Sequence, residues 1–236
     1  MRVTALLTGR GNNTLKDKNI IPILGKPALA YPAIAARNSL CFDNYYVSSD
    51  CEKILNAAAE YGFDPILRPA ELAMPSSLHK DVINHAMAEL KKLEVNPDIL
   101  VVLLANSPTI LPQWIADCVK IMREDQNCSA VVPVKLEMDH HPYRAKRILS
   151  DGSLKSFFEF KENNISSNRQ DLPKGYFLCH NFWVLRVTNG LDEKNGEAPW
   201  SFMGSRVLPY EVEDSFDIHT YEEVHKAERW LLQNKT

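Results

Sequence analysis

Between residues 9 and 19 the chain reads GRGNNTLKDKN, which sets Arg10, Lys16 and Lys18 among turn-forming glycine and asparagine residues. A guanidinium and two ammonium groups beside the backbone N–H groups of such a turn, that of Gly11 included, suit a triphosphate. The spacing is neither that of a Walker A loop nor G-x-G-x-x-G, so P-loop ATPases and dinucleotide enzymes lose support. On composition alone the segment would equally serve as a solvated basic loop. A second constellation is SFDIHT at residues 215–220. Asp217 and His219 stand two residues apart, and on an extended segment both side chains project to the same side. Thr220-x-x-Glu223 is also a capping box, which leaves Asp217 the alternative of complementing the dipole of the last helix. A third concentration, His140, His141, Arg144, Lys146 and Arg147, forms a cationic wall that would suit a carboxylate, because Arg can meet one in a bidentate pair. The competing reading, above all for Lys146 and Arg147, is a solvated loop balanced by Asp139 and Asp151.

These groups need a scaffold, and the apolar patterning predicts one. Residues 3–7, 44–48, 65–67, 98–104 and 130–134 read as strands, the last interrupted by Pro133, and residues 176–187 return as another. The run DILVVLL at 98–104 suits a central parallel strand buried on both faces. Helices are expected at residues 28–36, 51–61, 79–93, 113–124 and 221–233. Pro32 must sit in the first turn of the first helix or break it, and Gly62 is placed to end the second. The third carries Val82, Ile83, Ala86, Met87, Leu90 and Leu93 on one face. Strands alternating with helices imply right-handed β-α-β units, an α/β fold with a mostly parallel sheet. In such sheets ligands bind beyond the carboxyl ends of the strands, where loop 9–19 would lie. Residues 1–236 read as one domain, with a polar excursion at about 137–176 that contains Phe157, Phe158 and Phe160. Trp114, Trp183, Trp200 and Trp230 share no spacing and read as packing residues. His85, within an amphipathic helix, reads as packing or hydrogen bonding.

Bulk properties narrow the class. The 236 residues are 45% hydrophobic and 24% charged, an ordinary globular composition. A formal net charge of −3 gives no general attraction to nucleic acid or to an anionic membrane. Five cysteines, an odd number without a C-x-x-C pair, argue against a disulfide framework or a structural zinc site and for a reducing cytoplasm. No stretch approaches the roughly 20 apolar residues that cross a bilayer, and the first residues are too short an apolar run for a signal peptide.

Loop 9–19, followed by IIPILGKP at residues 20–27, resembles the opening of the acylneuraminate cytidylyltransferases, the CMP-sialic acid synthetases. There a strand leads into an Arg, a small turn and a Lys-Asn pair before a second apolar stretch and G-K-P. The resemblance continues through VSSD (47–50), LRPAELA (67–73), NSP (106–108), HHP (140–142), Arg169-Gln170 and SFDIHT (215–220), in the family's order over nearly the whole chain. It implies a Rossmann-like sheet flanked by helices, of the nucleotidyltransferase and GT-A kind. It also implies a reaction in which the anomeric hydroxyl of an acidic, nonulosonic 3-deoxy keto sugar attacks the α-phosphate of CTP and pyrophosphate leaves.

On this resemblance Arg10, Gly11, Asn13, Lys18, Asn19, Arg68, His79 and Ala105 fall on the nucleotide side, and Arg10, Lys18 and Asp217 carry catalysis. Arg68 keeps the alternative of a loop anchor paired with Glu71. Asn106, Ser107, Arg144, Arg169, Gln170 and Asn181 fall on the acceptor side. Asp217 would hold Mg²⁺ against the phosphates, with His219 where the family has a second Asp; His219 could bind directly or through water, act as a base, or favour Mn²⁺. The excursion would join two subunits of a homodimer. Three departures stand out. The phosphate loop is one residue shorter than usual, the family's L-L-Q-P-T-S-P reads LLANSP at 103–108, and its Ser-rich segment reads SSLH at 76–79. They leave open a different acidic acceptor such as a phosphonate, or a nucleotide-binding homologue without turnover.

Overall fold

The computed structural model describes residues 1–159, 165–191 and 194–234. The elements run β1 (Val3–Thr8), a small hairpin of β2 (Pro22–Ile23) and β3 (Lys26–Pro27), α1 (Ala30–Ser39), β4 (Asn44–Ser49), α2 (Glu52–Ala59), β5 (Asp64–Leu67), α3 (His79–Lys92), β6 (Ile99–Leu104), α4 (Pro112–Glu124) and β7 (Ala130–Leu136). A second hairpin of β8 (Lys146–Ile148) and β9 (Leu154–Ser156) follows, then β10 (Tyr176–Leu178), β11 (Phe182–Arg186), β12 (Val207–Glu211) and α5 (Tyr221–Asn234). β5, β4, β1 and β6 lie side by side and parallel. β11 then runs antiparallel between β6 and β7, while β12 joins β7 in parallel.

Burial explains why the sheet holds. Every residue of β1 and β6 is buried, and their registers match residue for residue from Val3↔Ile99 to Thr8↔Leu104. Strand alternation sends Val3, Ala5 and Leu7 to one face, against α1, α2 and α4, and Leu6 to the other, against α3. Each such leucine contributes about 1.5–3 kcal/mol on leaving water. α1 places Ala33, Ala35 and Ala36 in the core, and α4 starts with Pro112, whose missing N–H costs nothing at a helix start. α5 seals the β2–β3 hairpin through Ile23, Tyr31, Ile218, Val224 and Trp230. Trp114 meets Trp230 edge to face at 5.8 Å. Among the described residues, no helix is long and apolar enough to cross a membrane.

The structure departs from the sequence reading at several points, among them β12, a strand of the main sheet that the apolar pattern did not reveal. Pro32 sits in the first turn of α1, as it must, but Pro133 does not interrupt its strand. Its carbonyl accepts from Cys179 N at 2.8 Å and β7 runs on to Leu136. The expected strand over 176–187 is instead two, β10 and β11. Between them Asn181 turns its own Oδ1 to Phe182 N (2.9 Å) while its carbonyl accepts from Leu104 N (3.0 Å). Leu93 is exposed rather than on the buried face of α3, because the helix ends at Lys92. In the excursion, the aromatic group that could serve a subunit contact or a small local core has Phe157 and Phe158 in contact at 5.1 Å and about half exposed, which does not favour the core; Phe160 lies outside the described residues.

Candidate functional site

A cleft of about 290 Å³ opens at the carboxyl ends of β1 and β6. Its floor is the turn after β1. A Cβ on Gly9 would lie 3.0 Å from both the Ala105 methyl and Asn19 Nδ2, and one on Gly11 would lie 2.8 Å from Cys51 Cβ, so close approach dictates glycine at both. The turn is tied down from several sides. Gly9 N donates to Ser48 O (3.3 Å) and Gly11 N to Asp50 Oδ1 (2.9 Å). Asn13 Nδ2 and Asn19 Nδ2 both donate to the Arg10 carbonyl, at 2.6 and 2.8 Å, and Arg10 Nε reaches Asn13 Oδ1 at 3.3 Å. Arg10, Asn13, Lys18 and Asn19 therefore line one wall together, while Thr14 and Lys16 are exposed outside it. The Gly11 N–H is engaged by Asp50 within the protein.

The adjoining wall holds Arg68, Ser77 and His79. Arg68 is buried and anchored on Ser48, with Nη2 to its carbonyl at 2.6 Å and Nε to its hydroxyl at 3.2 Å, rather than on Glu71. Burial brings its pKa down to about 10, against the pull of Asp50. Burial likewise lowers the pKa of Lys18, opposed by Asp217 and assisted by Arg10. His79 is lowered by burial first, then by His180, Arg68 and Arg10, and its ring stands edge-on to Trp183 at 5.1 Å. Cations crowded into a partly dehydrated cleft each pay in solvation, and a polyanion placed among them relieves that cost.

Asp217 and His219 form the opposite rim, with His219 Nδ1 3.5 Å from Asp217 Oδ2. The capping box is also real: Glu223 accepts from His219 N (2.7 Å) and Thr220 N (2.8 Å), and Glu223 N donates to Thr220 Oγ1 at 3.3 Å. Since Glu223 and Thr220 cap α5, Asp217 is released from that task and faces the cleft. No group of three or more His, Cys, Asp or Glu converges among the described residues. The protein thus offers a divalent cation one carboxylate and one imidazole. The carboxylate fits a hard ion whose remaining ligands are phosphate oxygens and water, whereas the imidazole suits a softer divalent ion or a water-mediated contact.

The other sequence-predicted residues separate into two groups. Asn106 lines the cleft, whereas Ala105, Ser107 and Asn181 are fully buried behind it. Ser107 Oγ donates to the carbonyl of His180 at 2.6 Å. Arg144, Arg169 and Gln170 lie in the excursion, away from this cleft. Arg169 pairs with Asp139, whose carbonyl also accepts from Arg144 Nη1 at 3.3 Å. The sequence reading missed His180, which lines the cleft between Trp183 and Trp200. Its signal was the polar pair His180-Asn181 inside an otherwise apolar run. The reading also missed Thr8 and the Met74-Pro75 turn.

A family model described as cytidylyltransferase matches residues 10–187. The CMP-N,N'-diacetyllegionaminic acid synthase of Legionella pneumophila is 28% identical over 223 residues, 93% of this chain and 92% of that protein. The N-acylneuraminate cytidylyltransferase of Escherichia coli is 29% identical over 168 residues, 71% of this chain; the match spans 39% of that longer protein. The pseudaminic acid cytidylyltransferase of Campylobacter jejuni is 27% identical over 78% of this chain and 77% of its own. Among solved structures, a CMP:2-keto-3-deoxy-manno-octonic acid synthetase complexed with CTP superposes with a TM-score of 0.72 at 15% identity, over 99% of this chain and 100% of the other. The 4-diphosphocytidyl-2C-methyl-D-erythritolsynthase of Anaerococcus prevotii follows with 0.64 at 13% identity, over 98% of each. At such identities these two structures speak for the fold.

Proposed function

The chain belongs to the cytidylyltransferase family, and from that premise we propose that it transfers CMP from CTP to the anomeric hydroxyl of an acidic, nonulosonic 3-deoxy keto sugar, releasing pyrophosphate. The observation that carries this reading is the convergence of Arg10, Lys18 and Arg68 in one cleft, facing Asp217. In-line displacement at a phosphorus needs positioning and charge compensation more than a covalent group. Arg10 and Lys18 stabilise the triphosphate and the departing pyrophosphate, while Asn13 and Asn19 hold the Arg10 backbone in place. Arg68 and His79 border the nucleotide. Asp217, with His219 beside it, holds the Mg²⁺ or Mn²⁺ that supplies further charge neutralisation to the phosphates.

The acceptor enters along Leu104, Asn106 and His180, with Asn181 and Ser107 shaping that end from behind. No arginine of this wall comes from Arg144 or Arg169 of the same chain. We therefore assign those two, with Gln170, to a site completed in a homodimer by a second copy's excursion. Two apolar side chains on the largely cationic hairpin there support the assembly: Ile148 and Leu154 are 75% and 69% exposed. Five free cysteines suit a cytoplasmic setting. The test is pyrophosphate release from CTP, UTP, ATP and GTP with Mg²⁺ across a panel of acidic sugars and phosphonates. Release with CTP and a keto acid sugar is expected. Release with a phosphonate would change the acceptor, and absence of CTP binding would sink the reading.

A further inference from the structure

The loop between β6 and α4 carries Asn106, Ser107 and Thr109, and two of its hydroxyls spend their bonds inside the protein. Thr109 is fully buried and does not line the cleft. Its hydroxyl accepts from Phe216 N at 2.6 Å and donates to Phe216 O at 3.1 Å. One hydroxyl has a proton and two lone pairs, so it satisfies both groups of that residue at once. On the far side of Asp217, Ile218 N donates to the Asn106 carbonyl at 2.8 Å, and Ile218 is itself fully buried. Asp217 is thereby pinned at both neighbours while its carboxylate projects into the cleft. Two positions earlier than Thr109, Ser107 holds the His180 carbonyl on the other rim. A single short loop thus fastens both rims, each through a different hydroxyl.

We propose that Thr109 is a positioning residue, setting the place of the Asp217 carboxylate over the phosphate loop and with it the divalent-cation affinity of the enzyme–CTP complex. The proposal rests on the reading of Asp217 as a cation ligand. Valine would keep the volume of Thr109 but leave the Phe216 N–H and carbonyl unpaired in the interior, so that the backbone shifts to find partners. Serine would keep both bonds.

The test titrates Mn²⁺ into the full chain with saturating CTP, following loss of the free-ion electron paramagnetic resonance signal. Thr109→Val is expected to weaken Mn²⁺ binding about tenfold or more, the scale of losing a group that orients a ligand. Thr109→Ser is expected to restore it. Metal-free CTP affinity, read by calorimetry, stays at the wild-type value in both. Ser107→Ala is expected to raise the acceptor KM while leaving Mn²⁺ binding as it is. Wild-type Mn²⁺ affinity in Thr109→Val, with only a lower melting temperature, would overturn the proposal and leave Thr109 a purely structural residue. If Asp217→Asn itself binds Mn²⁺ normally, the reading of Asp217 fails and takes the proposal with it. Should Thr109→Val not fold, Thr109→Cys, whose thiol donates and accepts weakly, makes the same comparison: weakened Mn²⁺ binding supports the proposal and wild-type binding refutes it.

Discussion

Loop 9–19 and the excursion at 137–176 are both rich in arginine and lysine, yet the fold treats their charges in opposite ways. The loop is drawn against the end of the central sheet. Its backbone is bonded to Ser48 and Asp50, its side chains crowd a cleft, and burial lowers Lys18 and neighbouring Arg68 in pKa. The excursion leaves its cations in water. Arg169 meets Asp139 at the surface, Lys146 Nζ reaches Ser156 Oγ at 3.2 Å, and the β8–β9 hairpin is exposed along nearly its whole length. A charge gains chemical leverage where the protein strips its solvent and supplies no full countercharge. A solvated ion pair contributes little, typically below about 1 kcal/mol. Similar composition therefore predicts different roles only once the supporting elements are known.

The largest expected effect probes that contrast directly. Arg10→Ala or Lys18→Ala should reduce turnover at least about 100-fold, the scale of removing one preorganised transition-state donor. Arg147→Ala, in the excursion, should leave turnover near wild type when measured by pyrophosphate release. Equal losses in both regions would erase the distinction; near-normal turnover in the loop variants would remove the loop from the mechanism. Next in size is Asp217→Asn, expected to raise the Mg²⁺ requirement by more than the roughly tenfold that follows loss of a group orienting the ligand. Its melting temperature should barely change, because Thr220 and Glu223 carry the helix cap without it. A matched loss of folding would instead return Asp217 to a structural role.

How much of this was readable from residues follows the same division. Most strands and helices of the α/β layer were legible because they are either apolar on both faces, like β1 and β6, or bury one periodic face, like α3. The end of α1 ran three residues past the pattern, and β12, half exposed and interrupted by Pro209, was not read at all. Arg10, Asn13, Lys18 and Asn19 were legible because they lie within one short loop whose position at the end of β1 follows from the sheet. Arg68, Asp217 and His219 came from the resemblance and do line the same cleft. His180 was hidden because its position depends on a strand break, held by Asn181 and by Ser107 from 73 residues away. Long-range bonds of that kind leave no local pattern. The assignment of Ser107 and Asn181 as acceptor contacts likewise mistook proximity for exposure, since both are buried behind the wall.

The excursion offers a third test, of assembly rather than chemistry. Ile148, Leu154, Phe157 and Phe158 are all exposed, and the proposed homodimer would cover them. Replacing Phe157 and Phe158 together by Ser should convert a dimer to monomers in sedimentation while far-ultraviolet circular dichroism is unchanged. Acceptor KM should rise in the monomer if a second copy's excursion completes the site. A wild-type chain that sediments as a monomer would break the homodimer reading.

The smallest effect is thermodynamic and returns to the cleft. The folded pKa of His79 lies below its ordinary value of 6.5, first because the cleft desolvates the imidazolium although the residue keeps an exposed side, and then because His180, Arg68 and Arg10 repel it. As pH falls below 6.5, the unfolded chain therefore takes up this proton before the folded one does. Stability contributed by a neutral His79 is complete above that pH and is lost as pH drops toward the depressed folded value. Wild type should accordingly lose stability against His79→Asn across that window in urea titrations, and the two should run parallel above it. Bound CTP should shrink the difference, because a polyanion beside the imidazole favours its charged form and raises the folded pKa. Parallel curves over the whole acid range would mean that His79 titrates as if solvated. An undiminished difference with CTP bound would place the triphosphate away from the Arg10, Arg68 and His79 wall.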